Sequence, residues 1–177
     1  MTRKEVMAMD LRYVTGRMSA NVDSIVSLTK GVGREQARWR PAPDRWSIIE
    51  VAGHLYDEEQ YDFRTRIDFT LNQPGESWPP FDPLKWMGEG NYLEGDLDET
   101  VQTWIEERRR SLEWLHGLSS PDWNKSYSHP SIGELRAGDL LAAWLAHDLL
   151  HIRQLAGLHA DYTAHLLEPF HIKYAAP

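Results

Sequence analysis

The sequence predicts an all-α fold, a bundle of four helices with a long crossover between helices 2 and 3. Three observations carry this. Four stretches repeat apolar residues at steps of three and four, the spacing of one helical face. The segments between them hold most of the glycines and prolines. One of those segments, Asn72 to Asp96, is long enough to let the helices on either side run parallel rather than fold back as a hairpin. At 177 residues the chain is most simply one domain, 1–177, able to bury a sizeable core.

The first helix is expected over Glu5 to Thr29. Met7, Leu11, Val14, Met18, Val22 and Ile25 share a face, and Gly31 and Gly33 end it. Arg34 to Trp46, with Pro41 and Pro43, reads as a short connection. The second helix has the clearest start: Ser47 followed three residues later by Glu50, a capping box before an apolar-periodic run. It should extend from Ile48 to Leu71. Ala52, Leu55, Phe63 and Ile67 form its packing stripe. Val51, His54, Glu58 and Tyr61 lie on the adjacent line, which sets His54 and Glu58 one turn apart.

The crossover carries four prolines, Pro74, Pro79, Pro80 and Pro83, and the aromatics Trp78, Phe81, Trp86 and Tyr92. Loops this long are often functional, and the aromatics predict that this one packs over the bundle. The third helix, Leu97 to Gly117, is capped by Asp96 or Asp98. Val101, Ile105, Leu112 and Leu115 point inward, and at least two of Arg108, Arg109 and Arg110 should lie on a solvated face. Ser119 to Arg136 reads as irregular. The fourth helix runs from Ala137 to His159, followed by a tail from Ala160 to Pro177.

Composition narrows the function. Acidic residues outnumber basic ones by 27 to 19, a formal charge of −8, and no basic stripe offsets it, so nucleic acid is not expected as a partner. No apolar run reaches the length of a membrane span, and the opening MTRKEVMAMD has no signal-peptide pattern. Cysteine is absent, which removes disulfides and thiolate ligands and is compatible with a cytoplasmic location. Any metal must then be held by His, Asp or Glu.

The chemistry points to LLAAWLAHDLLHIRQLAGL, Leu140 to Leu158. Leu140, Trp144, His147, His151 and Leu158 share one helical face, so two imidazoles stand one turn apart among apolar neighbours. Polar groups there need a partner, which a metal ion, a carboxylate, a backbone carbonyl or a buried water can supply. Histidines at i and i+4 can reach one ion. His54, inside the bundle on the second helix, is the candidate third ligand. Three imidazoles leave a coordination position open, the catalytic rather than the structural pattern. Glu58 is a candidate general base or extra ligand, or a surface carboxylate. Asp148 points away from His147 and reads as a helix contact, whereas Gln154 can line the same cavity. Trp78, Trp86 and Trp144 are candidate pocket walls, with core packing favoured for Trp144. Glu113 and His116 match the Glu-x-x-His pattern of di-iron bundles only once.

Two segments resemble a known family. RWRPAPDRWSIIEVAGHLYDEEQYDFRTRI, Arg38 to Ile67, resembles the region around the first metal histidine of the DinB/YfiT-like superfamily. SHPSIGELRAGDLLAAWLAHDLLHIRQLAGLH, Ser128 to His159, resembles its other hallmark, with the pattern His-Asp-x-x-x-His-x-x-Gln. Together they span over a third of the chain. The resemblance implies a four-helix bundle with a long crossover between helices 2 and 3. It implies a divalent metal, zinc or nickel among others, on His54, His147 and His151, and often a homodimer. The superfamily includes thiol-dependent enzymes that use bacillithiol or mycothiol as co-substrate, so the resemblance implies a metal-dependent S-transferase acting on a small-molecule substrate. A metal-activated water would make a hydrolase instead, and the alternative is a metal- or ligand-binding bundle without turnover.

Overall fold

The computed structural model describes residues 9–73, 75–80 and 92–175. Four long helical runs make a bundle. They are α1 (Leu11–Thr29), the pair α3 (Ile48–Asp57) and α4 (Phe63–Asn72), α5 (Leu97–Gly117) and α6 (Ala137–Leu166). A short helix, α2 (Arg34–Arg38), precedes α3. α3 packs on α5, α1 lies against both α5 and α6, and α4 lies against α6. No helix among the described residues is long and apolar enough to cross a membrane.

The apolar residues form two clusters, one toward each end of the bundle. One holds Ile25, Leu55, Trp104 and Leu155, and the other Met18, Phe63, Leu115 and Trp144. On every long helical run a polar residue lies between them in sequence: Asn21 on α1, Glu59 between α3 and α4, Arg108 on α5, and Asp148 on α6. All four are buried. The Arg108 guanidinium spans Glu59 and Asp148, with bonds of 2.7–2.8 Å to both carboxylates, and Asn21 Nδ2 donates to Asp148 at 3.1 Å. A polar layer thus crosses the middle of the core. Burying charges this way is tolerated only because each has a partner. His147 and His151 flank Asp148 on α6, so the histidine face opens onto the same level.

Several details depart from the expectations. The first helix begins at Leu11, where Asp10 accepts from the Tyr13 amide at 3.1 Å; residues 5–8 of the expected span lie outside the described residues. The second helix is interrupted by one π-helical turn, Glu58–Asp62. The extra residue of that turn rotates the helix beyond it, so that Glu59 joins the buried layer while Phe63 and Ile67 still meet the core. The segment expected to be irregular contains a two-stranded antiparallel hairpin, β1 (Ser126–His129) with β2 (Gly133–Arg136), Tyr127 opposite Leu135. Gly133 at its turn has φ +91°, a conformation open to glycine. The hairpin is held by Tyr127, whose ring stacks 4.2 Å from that of Trp78. α6 continues past His159 to Leu166 and buries Tyr162, beside which Trp39 stacks on His165.

Candidate metal centre

Three imidazoles meet between α3 and α6. His54 Nε2 is 3.1 Å from His147 Nε2, and His151 Nε2 is 3.0 Å from the same atom. His54 and His151 are buried and His147 is half-buried. The helices place them simply. The capping box starts α3 at Ser47: Glu50 Oε2 accepts from the Ser47 amide at 2.9 Å and from its hydroxyl at 2.8 Å. His54 lies further along that helix's inner face, and the one-turn spacing on α6 brings His147 and His151 to it.

Burial holds the site neutral. It pushes the pKa of His54 down to about 3, and the charges of His151 and His147 add to this. His147 also falls to about 3, by burial first and then by His151 and Arg108. His151 is lowered by burial as well, against the opposing effect of the hydrogen bond it donates to Gln154. Neutral imidazoles carry one N–H and one lone pair each. His151 Nδ1 lies 2.8 Å from Gln154 Oε1, an acceptor, so its proton sits on Nδ1 and its Nε2 presents a lone pair. Three Nε2 atoms this close cannot all be satisfied by the few protons left among them. A cation satisfies all three. Tetrahedral bonds of about 2.0–2.1 Å to zinc would set the nitrogens about 3.3 Å apart, close to the spacing seen. The donor set and the geometry both fit a divalent metal, and these three residues are the group able to hold one among the described residues.

The site's surroundings are aromatic on one side and acidic on the other. Trp46 lies 4.8 Å from the His54 ring and stands parallel to His151 at 6.3 Å, while Phe63 presents an edge to His147 at 5.2 Å. Glu58 Oε1 is 3.9 Å from His54 Nδ1, which faces away from the Nε2 cluster and has no hydrogen bond of its own among the described residues. Glu58 therefore stands behind His54, outside the three-nitrogen group. Burial, then the neighbouring Asp62, raises its pKa to about 8. Asp62 in turn pairs with Arg66. Asp57, one turn before Tyr61, is raised to about 6 by burial and accepts a hydrogen bond from Tyr92.

The other sequence candidates separate cleanly. Asp148 turns away from the imidazoles into the Arg108 pair, and Gln154 reaches His151. Trp144 packs in the core, stacked 5.7 Å from Phe63, and its Nε1 donates to Glu59 at 3.1 Å. Trp78 corrects the expectation of a pocket wall. It packs with Tyr127 and under Arg66, and its Nε1 donates to Thr70, far along the chain from the imidazoles. Trp86 lies outside the described residues. His116 faces Thr15 and Glu113 pairs with Arg109 at the surface, so they form no second metal site. Of Arg108, Arg109 and Arg110, the last two are exposed as expected and Arg108 is wholly enclosed. Sequence reasoning missed Trp46. Its signal was position: it directly precedes the cap residue, where an apolar side chain folds back onto the first turns of the helix.

Comparison with known proteins gives the family and the fold. The sequence model of the DinB superfamily matches residues 18–155. No curated protein matches the chain. Among solved structures, YfiT from Bacillus subtilis superposes with a TM-score of 0.76 at 15% identity, covering 89% of this chain and 90% of that one. It is described as a probable metal-dependent hydrolase with an unusual four-helix bundle topology. TT2238, a four-helix bundle protein, matches with a TM-score of 0.49 at 16% identity over 83% of this chain and 98% of the other.

Proposed function

Because the chain belongs to the DinB superfamily, we propose that it is a metal-dependent enzyme whose centre is His54, His147 and His151. The observation that carries this is the convergence of three Nε2 atoms, those of His54 and His151 lying 3.1 and 3.0 Å from that of His147. Three ligands from the protein leave a position open for a substrate or a nucleophile. A divalent cation such as zinc or nickel supplies Lewis acidity there and lowers the pKa of a water or a thiol.

The chain's own residues do the rest. Gln154 holds the His151 proton on Nδ1 and so keeps Nε2 available. Glu58, 3.9 Å from the Nδ1 of His54, is the buried carboxylate nearest that ring and is the candidate general base. Trp46 and Phe63 wall the imidazoles from solvent, which strengthens every charge interaction inside. The reaction is attack on a small electrophilic substrate, by water in a hydrolase or by a low-molecular-weight thiol such as bacillithiol or mycothiol in an S-transferase. The description of YfiT supports the first route. The absence of cysteine supports the second, since the chain has no thiol nucleophile of its own. The enzyme works in the cytoplasm as a homodimer, on a small molecule rather than on nucleic acid or a membrane.

The test is metal content, by mass spectrometry, of untagged wild type beside His151→Ala, followed by a screen of hydrolase and thiol-transfer substrates with the metal found. One metal per chain in the wild type, most of it lost in the variant, and turnover that tracks metal content are expected. Bound metal with no turnover on either panel would leave a non-catalytic metal-binding bundle. No metal in either protein would remove the centre altogether.

A further inference from the structure

A second feature lies on the other side of the Gln154 side chain. There the surface opens into a hollow of about 420 Å³, within the range of small-ligand sites. Its lining includes Arg45, from the loop that leads into α3, and Arg153, Gln154, Leu150, Leu158 and Asp161 from α6. Two guanidiniums from distant parts of the chain thus face one cavity. Among the described residues neither has an ion pair or a side-chain hydrogen bond. Arg64, Arg66, Arg108, Arg109, Arg110 and Arg136, by contrast, are each paired with a carboxylate.

Gln154 adds a third donor. Its Oε1 is committed to the His151 Nδ1 proton, which fixes the orientation of the amide. The NH2 end is left with two protons and no partner within the described residues. We propose that this hollow is an anion subsite that takes the carboxylate of a small substrate, gripped by Arg45, Arg153 and the Gln154 amide. Planar guanidiniums suit a carboxylate because they bind it through paired, charge-assisted hydrogen bonds. Asp161 on the rim leaves a net charge of about +1 from these side chains, which attracts an anion. Leu150 and Leu158 then flank a short apolar body. One side chain, Gln154, belongs both to this hollow and to the hydrogen bonding of a metal ligand, so an anion bound here is linked to His151 through a single amide. The term substrate rests on the function proposed above; the anion site itself does not.

The probe is succinate, titrated into the full-length, metal-loaded protein at constant ionic strength. Side-chain N–H resonances of arginine and glutamine report it by ¹H–¹⁵N NMR. Saturable shifts at Arg45, Arg153 and Gln154 are expected, with an apparent affinity at least about tenfold weaker in R45Q/R153Q. Circular dichroism and metal content of that variant should equal those of the wild type, since neither arginine contacts the imidazoles. Shifts spread equally over Arg12, Arg17 and Arg34, or unchanged in R45Q/R153Q, would overturn the site. Inorganic phosphate binding in place of succinate would overturn its assignment to carboxylates. A protein without bound metal that still shows the succinate shifts would sink the metal-dependent reading and leave the anion site standing. A metal-loaded protein without them would do the reverse.

Discussion

Nδ1 of His151 and Oε1 of Gln154 stand 2.8 Å apart, one turn of α6 between their backbones. That contact decides which nitrogen of His151 can accept a metal. Replacing Gln154 by Leu keeps the bulk and removes the acceptor, freeing the ring to take the other tautomer. Zinc affinity should fall by about 10–100-fold. Gln154→Glu keeps an acceptor and should retain most of the affinity. Competition against a chromophoric chelator measures both, and equal affinities for wild type and Gln154→Leu would strip Gln154 of this role.

Arg108 makes the second prediction. It is enclosed in the core between Glu59 and Asp148, and the Met18 carbonyl also faces it at 3.4 Å. Arg108→Ala would leave two buried carboxylates without their cation and should cost about 3–5 kcal/mol in urea denaturation. The loss is mostly the penalty of the stranded charges. Adding Glu59→Gln to Arg108→Met should therefore recover part of it. A double variant no more stable than Arg108→Ala would mean that packing, not charge, is what Arg108 supplies.

The same arginine shows where the sequence stops being legible. The helix spacing exposes four amphipathic runs, the cap Ser47 and the pair His147 and His151, because each is a local pattern read within a few turns. His54 was legible as a partner only through its phase on α3. The burial of Arg108 was not, since three successive arginines look alike until two carboxylates from other helices close on one of them. The π-helical turn was equally hidden. A continuous apolar stripe from Ala52 to Ile67 reads the same with or without one extra residue, and only the packing of Glu59 and Phe63 on different neighbours decides. The hairpin of Ser126 to Arg136 depends on Trp78, a contact across the chain that no local signal announces.

The capping box carries unequal weight. Ser47 is buried, yet Glu50 does more: it accepts from the Ser47 amide and hydroxyl and is gripped by Arg40, whose Nε donates to Oε2 at 2.8 Å. Ser47→Ala should cost about 1 kcal/mol. Glu50→Ala should cost more, about 2 kcal/mol, because it also strands the cap amide and releases Arg40. Chemical denaturation of the two variants side by side tests the order. The reverse order would show that the hydroxyl, rather than the carboxylate, closes the start of α3.

Gly53 gives a prediction whose sign opposes helix propensity. An alanine in a helix interior is favoured over glycine by about 0.5–1 kcal/mol. At position 53, however, a Cβ would overlap the ring of Tyr92, whose hydroxyl donates to Asp57 on the next turn. Gly53→Ala should therefore destabilise the protein by about 1–3 kcal/mol, as overpacking does. In a Tyr92→Ala background the obstacle is gone, and the same substitution should become neutral or stabilising. A stabilising Gly53→Ala in the otherwise wild-type chain would show that Tyr92 does not close on α3 in solution.

The last prediction uses the titration of His147. Burial, with the charges of His151 and Arg108, holds its native pKa near 3, against 6.5 for an exposed histidine. As pH falls below 6.5 the unfolded chain takes up a proton at this residue and the native chain does not. The native state loses stability in consequence, by up to about 1.4 kcal/mol per pH unit from this group, until the pH nears its native pKa. Above 6.5 neither state binds the proton and the contribution is flat. His147→Gln removes the titrating group and leaves the carboxylates that titrate in the same range. The stability of metal-free wild type minus that of the variant should then be constant above pH 6.5 and decline toward about pH 5. Urea midpoints in the presence of a chelator measure that difference, and parallel curves across the range would mean that His147 is solvated and free to protonate in the native bundle.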